Sequence, residues 1–158
     1  MRIGQGFDAH AFGEGRRLVL GGVTFEGETG LAGHSDGDVV THAVIDALLG
    51  AAALGDIGHH FPSSDERWRD ADSIGMLKRV RAMVAQAGYG VANLDVTVVA
   101  ARPRLAERVW EMRTALAEAL DVETGRVSVK ATTTDGLGAL GRGEGIAAMA
   151  AVLLEPAE

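Results

Sequence analysis

Cysteine is missing altogether from this sequence of 158 residues. That excludes a disulfide scaffold, a thiolate metal site and a cysteine nucleophile. Missing too is any excess of positive charge, since 15 Lys and Arg face 22 Asp and Glu, for a formal net charge of −7 with His neutral. This argues against general binding to nucleic acid or to an anionic membrane, while leaving room for a local basic pocket. There is no long hydrophobic run either: the longest apolar stretch, Ala43 to Leu54, carries Asp46 and is too short to span a bilayer. Met1-Arg2-Ile3-Gly4-Gln5-Gly6 lacks a basic segment followed by an apolar one, so no secretory signal is read there and a cytoplasmic protein off the membrane is expected.

What remains is an ordinary globular balance of 47% hydrophobic and 23% charged residues, which rules out a disordered chain. The length predicts a single domain over residues 1–158 that buries roughly 68–70% of its extended surface. Two biases stand out. Glycine, at 22 residues, has about twice its usual share, and all five histidines lie within the first 60 positions, which concentrates the chemistry there.

Arg2 to His10 and Arg17 to Leu20 read as strands, with a Gly21-Gly22 turn before Val23-Thr24-Phe25. Ser35 or Asp36 is the expected cap of a helix that runs to about Leu54 and stops at Gly55. A polar loop follows to about Asp70. Asp72 or Ser73 then caps a helix whose Ile74, Leu77, Val80 and Val84 share one face until Gly88. Leu94, Val96 and Val98 alternate with Asp95 and Thr97 in a strand that Arg102-Pro103-Arg104 breaks. Leu105, Val109, Met112, Leu116 and Leu120 mark a third helix, and Val127–Thr132 and Ile146–Leu154 read as strands around a glycine-rich loop. Trp68 and Trp110 are expected in the margin of the core. The fold class is α/β of the α+β type: a mixed sheet with helices on one face, which leaves the other sheet face for burial by further subunits.

Asp8 and His10, two apart on a strand, leave the same face with Cα atoms ~6.6 Å apart, close enough to converge on one ion. His42, in the second turn of the first helix, completes a His₂-carboxylate set that leaves a fourth metal position open, as catalytic zinc requires. The plainer alternative is that Asp8 ends a strand and His10 is a surface residue. Asp38, His42 and Asp46 are four apart on the helix. They suggest carboxylates orienting a ligating His, an acidic helix start that complements the dipole, or both together. Thr132-Thr133-Thr134-Asp135-Gly136-Leu137-Gly138 supplies hydroxyls, backbone N–H groups and a carboxylate suited to phosphate oxygens and Mg²⁺. It lacks the Gly-Lys-Ser/Thr of a P-loop, and its glycines fit a tight structural turn equally well. Arg142 and Glu144 suggest an ion pair or an anion contact. His59 and His60, being adjacent, are poorly placed to share an ion, and Ser35 lacks a nucleophile-elbow context.

Gly6-Phe7-Asp8-Ala9-His10, His34-Ser35-Asp36-Gly37-Asp38 with His42, Gly55-Asp56-Ile57-Gly58, Phe61-Pro62, Lys130-Ala131-Thr132-Thr133-Thr134 and Gly141-Arg142-Gly143-Glu144-Gly145 occur in that order. Together, over essentially the whole chain, they resemble the 2-C-methyl-D-erythritol 2,4-cyclodiphosphate synthase family. The resemblance implies a homotrimer with active sites between subunits and a small cytidine diphosphate substrate. The reaction it implies is cyclisation of 4-diphosphocytidyl-2-C-methyl-D-erythritol 2-phosphate with release of CMP. It further implies zinc, or another divalent ion, at Asp8, His10 and His42, and Mg²⁺ or Mn²⁺ at Asp135 through the substrate diphosphate. His34 and Thr133 would stabilise the transition state. Asp8, Ala9, His10, His34 and Ser35, with Asp56, Ile57, Gly58, Phe61, Pro62, Ser63, Ser64 and Asp65, would line the erythritol phosphate pocket. Ala100, Ala101, Arg102, Pro103, Arg104, Leu105 and Ala106, with Ala131, Thr132 and Thr133, would hold the cytidine, and Thr134, Ala139 and Arg142 would complete the substrate contacts.

Three positions depart from the family pattern: Asp135 stands where Glu is usual, Ser63 where Asp is frequent, and Arg104 where Lys is frequent. A metal-dependent phosphohydrolase and a non-catalytic trimeric module for nucleotide or isoprenoid diphosphate are the competing readings. The hydrolase would release linear products, and the pure binder has no need of an open metal site.

Overall fold

A computed structural model describes residues 1–157. Among them the strands form a five-stranded sheet in the order β2-β1-β5-β3-β4. β1 (Arg2–Leu20) and β2 (Val23–Leu31) form an antiparallel pair, and β5 (Gly145–Pro156) lies antiparallel to both β1 and β3 (Tyr89–Ala100). β4 (Val127–Thr132) runs parallel to β3, so the sheet is mixed. The helices are α1 (Val39–Ala52), the short α2 (Ile57–His60), α3 (Ser73–Gln86), α4 (Val109–Leu120) and the short α5 (Gly138–Gly141). α1 lies over β1 and β5, while α4 lies over β4 and meets α3, which packs on α1.

Side-chain alternation explains the layering. On β1, Gly4 and Gly6 are buried toward α1, while Ile3 (78% exposed) and Phe7 (60%) lie bare on the opposite face. On β5, Ile146, Ala148, Ala150, Val152 and Leu154 are buried, and Met149 opens outward opposite Phe7. Burying each Val or Leu contributes about 1.5–3 kcal/mol.

The expected elements are present with different limits. Arg2–His10 and Arg17–Leu20 are parts of one strand: β1 pairs with β5 as far as Ala11 and with β2 from Phe12, and irregular register absorbs the polar segment between Phe12 and Arg17. Neither Ser35 nor Asp36 caps α1. Asp38 does, accepting from the Thr41 N–H at 3.0 Å and also from Gly21 and Gly22 at 2.8 Å, which ties the helix start to the β1–β2 turn. His42 accordingly falls in the first turn, and Ala53 in left-handed conformation ends the helix before Gly55. β3 begins at Tyr89, before the alternating run from Leu94, and a register shift between Val91 and Asn93 interrupts the alternation there. Trp110 is 64% exposed and no part of the core. Among the described residues no helix is long and apolar enough to cross a membrane.

Candidate metal centre and substrate pockets

The α1-facing row of β1 runs Gly4, Gly6, Asp8, His10, and its last two members lie beyond the two glycines on which the helix rests. A Cβ at Gly6 would stand 1.9 Å from the Ala43 carbonyl oxygen, so only a residue without a side chain lets α1 approach this closely. That approach carries His42 to the strand. Asp8 Oδ2 lies 2.7 Å from His10 Nε2 and 3.0 Å from His42 Nδ1, and the two nitrogens are 3.3 Å apart.

Each histidine is oriented from its far side. His10 Nδ1–H donates to the Ala32 carbonyl at 2.6 Å, and His42 Nε2 meets Ser73 Oγ at 2.9 Å and Ser35 Oγ at 3.0 Å. Tetrahedral ligands on bonds of about 2.0–2.1 Å stand ~3.3 Å apart, so the observed spacings of 2.7–3.3 Å need little expansion to hold a zinc-sized ion. Asp8, His10 and His42 therefore form a group able to hold a metal ion. Burial raises the Asp8 pKa, but hydrogen bonds from His10 and His42 outweigh it and hold the carboxyl at about 2. The bond to Asp8 raises the His10 pKa above its usual 6.5.

The expected pairing of His42 with carboxylates on its own helix does not occur. Asp38 is spent on capping, and Asp46 accepts from the Ile57 N–H at 2.8 Å, tying α2 to α1. Burial raises the Asp46 pKa despite that bond.

The centre opens on a cavity of about 270 Å³ whose walls include His34, Ser35, Ile57, Gly58, Phe61 and Ser63. Trp68 and Met76 also line it, neither of them among the site residues expected from the sequence. Met76 lies three residues after Ser73 at the start of α3, and that spacing was the available signal. Asp56 caps α2 through the His59 N–H, and Asp65 turns its carboxylate to Arg67 while its carbonyl lies 3.2 Å from His34 Nε2. Pro62 and Ser64 belong to the same loop, and Ala9 faces away from the ligands between Asp8 and His10. His60 ends α2, and its Nε2 donates to the Leu54 carbonyl at 2.7 Å.

A separate cavity of about 340 Å³ is lined by Ala100, Ala101, Pro103, Arg104, Leu105, Ala106, Ala131, Thr132 and Thr133. Arg102 instead stacks on Phe12, 4.4 Å from the ring centre. Asp135 is exposed with φ 51°, 3.4 Å from Thr133 Oγ1, and lies outside the Asp8–His10–His42 group. Thr134 bonds the Leu137 carbonyl at 2.6 Å, Ala139 sits on α5, and Arg142 pairs with Glu144 at 2.7 Å. Both cavities lie at the same end of the sheet, since His10 and Ala100 both pair with Ile146. Two strands intervene between β1 and β4, which sets those two strands roughly 14 Å apart within one chain.

The YgbB family model matches residues 1–155. The chain is 58% identical over 155 residues to the 2-C-methyl-D-erythritol 2,4-cyclodiphosphate synthase of Marinobacter nauticus, covering 98% of each. It is 59% identical over 152 residues to the bifunctional enzyme IspD/IspF of an Anaeromyxobacter species, covering 96% of this chain but 39% of that protein. Among solved structures, the CDP complex of IspF from Plasmodium falciparum superposes with a TM-score of 0.86 at 31% identity, covering 99% of this chain and 97% of that one.

Proposed function

Because the chain belongs to the YgbB family of 2-C-methyl-D-erythritol 2,4-cyclodiphosphate synthases, we infer that it converts 4-diphosphocytidyl-2-C-methyl-D-erythritol 2-phosphate to 2-C-methyl-D-erythritol 2,4-cyclodiphosphate and CMP. It is thus a phosphorus–oxygen lyase. The observation that carries this reading is the three-ligand group of Asp8, His10 and His42 at the edge of a cavity of about 270 Å³.

In the reaction an oxygen of the 2-phosphate forms a bond to the β-phosphorus, and the bond from that phosphorus to the bridging oxygen of CMP breaks. Water is not consumed. Nucleophile and electrophile belong to one molecule, and well-oriented intramolecular reactions reach effective molarities of about 10⁵–10⁸ M. The protein's task is therefore to fold the substrate in line, with no covalent nucleophile of its own. A divalent cation on Asp8, His10 and His42 supplies positive charge for the crowded phosphates; zinc suits this donor set, and we assign Mg²⁺ or Mn²⁺ to Asp135 with the diphosphate.

In this reading His34, Ser35 and the Asp56–Gly58 and Phe61–Asp65 segments hold the erythritol phosphate. The pocket of residues 100–106 and 131–133 takes the cytidine, and His34 and Thr133 stabilise the transition state. The CDP complex of the Plasmodium relative supports a cytidine nucleotide as ligand. The two half-sites lie apart within one chain, and Ile3, Phe7 and Met149 lie bare on the sheet. Both features support a homotrimer in which a neighbour brings its nucleotide pocket to this metal centre. We place the chain, as one domain over 1–158, in the cytoplasm.

The test is turnover of the cytidyl substrate followed by phosphorus NMR. A cyclic diphosphate with equimolar CMP is expected; inorganic phosphate or a linear monophosphate would favour a hydrolase. His42→Ala should abolish both bound zinc and turnover, and full activity without metal would overturn the reading.

A further inference from the structure

Behind His42, Asp36 and Ser73 meet across 37 positions of sequence. Ser73, fully buried at the start of α3, gives its hydroxyl hydrogen to Asp36 Oδ1 at 2.5 Å and its backbone N–H to Oδ2 at 2.9 Å. Asp36 Oδ1 also receives the Asp38 N–H at 3.0 Å. A hydroxyl has one hydrogen, and an ionised carboxylate can only accept. With that hydrogen committed, Ser73 Oγ has only a lone pair to offer His42 Nε2, 2.9 Å away. Nε2 must then carry the hydrogen, and once a metal displaces the proton that Nδ1 shares with Asp8, Nδ1 offers it a lone pair.

We propose that Asp36 and Ser73 are positioning residues for the metal centre: the Asp36–Ser73 hydrogen bond fixes the tautomer in which His42 ligates through Nδ1. The inference rests on the metal-centre reading above. His10 is set in the complementary way, since the Ala32 carbonyl takes its Nδ1–H and leaves Nε2 free for the ion. Each ligating histidine is thereby locked by an acceptor on its far nitrogen. A consequence follows for Ser35. Its Oγ, 3.0 Å from the same His42 N–H, accepts there as well, so its own hydrogen is directed elsewhere, and Ser35 lines the cavity where an anionic oxygen would receive it.

The test uses zinc alone. Zinc affinity is measured by competition with a chromophoric chelator, and the His42 Nε2–H resonance is followed in the zinc-loaded protein. Ser73→Ala removes one acceptor and leaves Ser35, so affinity should fall on the order of 10-fold, as loss of a partner behind a ligand generally produces. Asp36→Asn fills the same space, but its amide either faces the Ser73 N–H donor or turns the Ser73 hydroxyl hydrogen toward His42. Affinity should then fall further, toward ~100-fold, with the Nε2–H resonance shifted or lost. Zinc affinity within twofold of wild type in both variants, with that resonance unmoved, would overturn the proposal. So would losses that only track a lowered unfolding temperature of the metal-free variants. His42→Ala separates the two levels: if it too retains zinc, the metal-centre reading has failed, and if it alone loses zinc, only the relay has.

Discussion

Gly6 and Ala43 touch backbone to backbone: a Cβ on Gly6 would lie 1.9 Å from the Ala43 carbonyl oxygen. His42, next to Ala43, is held over Asp8 by that contact. Gly6→Ala should therefore push α1 off β1. Overpacking a fitted core costs about 1–3 kcal/mol, and a clash with rigid backbone belongs at the top of that range. Zinc affinity and thermal stability should fall together, by competition titration and calorimetry. A variant with an unchanged melting temperature and normal zinc affinity would show that the strand–helix approach does not set the centre.

The pH response of the centre has a definite sign. Bonding to Asp8 raises the His10 pKa, so a proton competes with the metal at Nε2. Zinc affinity should begin to fall on acidification while the pH is still above 6.5, the usual histidine value. Asp8 remains a carboxylate down to about 2 and does not cause that loss. In metal-free protein the signs differ. The His10 contribution to stability is complete below 6.5 and lost as pH rises through its raised value, and the Asp8 contribution is present above 3.8 and lost as pH falls through about 2. Chelator-treated protein should thus draw most from this pair between 3.8 and 6.5, as melting temperatures across pH would show.

Ile3, 78% exposed on the bare sheet face and remote from the ligands along β1, tests the assembly. Ile3→Asp should split the proposed trimer in light scattering and lower turnover at least ~10-fold through the cost of burying an unpaired charge, while zinc content per chain stays near that of the parent. An active monomer would show that a single chain contains the whole site.

Asp135 has φ 51°, a conformation that Asn tolerates as well as Asp. Asp135→Asn therefore removes charge without forcing the loop. Turnover should drop and need more Mg²⁺, with zinc content unchanged; a wild-type Mg²⁺ titration would strike Asp135 from the site.

Much of the centre was legible in the sequence, because strand alternation is local. A two-residue spacing places Asp8 and His10 on one face whatever surrounds them. The helical pattern around His42, the Gly21-Gly22 turn and the β4 limits follow from the same short-range periodicities. The resemblance supplied the family, which spacing alone did not. What tertiary structure decided are matters of distance along the chain. Asp38 outcompetes Ser35 and Asp36 as cap because the β1–β2 turn brings it two further N–H donors. Asp36 is released to meet Ser73, and no helical or strand period links positions 37 apart. The cavity at the ends of β3 and β4 stands apart from the Asp8–His10–His42 group because sheet order, unlike strand facing, is set by long-range pairing. Local periodicity settles which way a side chain points; only the assembled sheet and the helices laid on it settle what it meets.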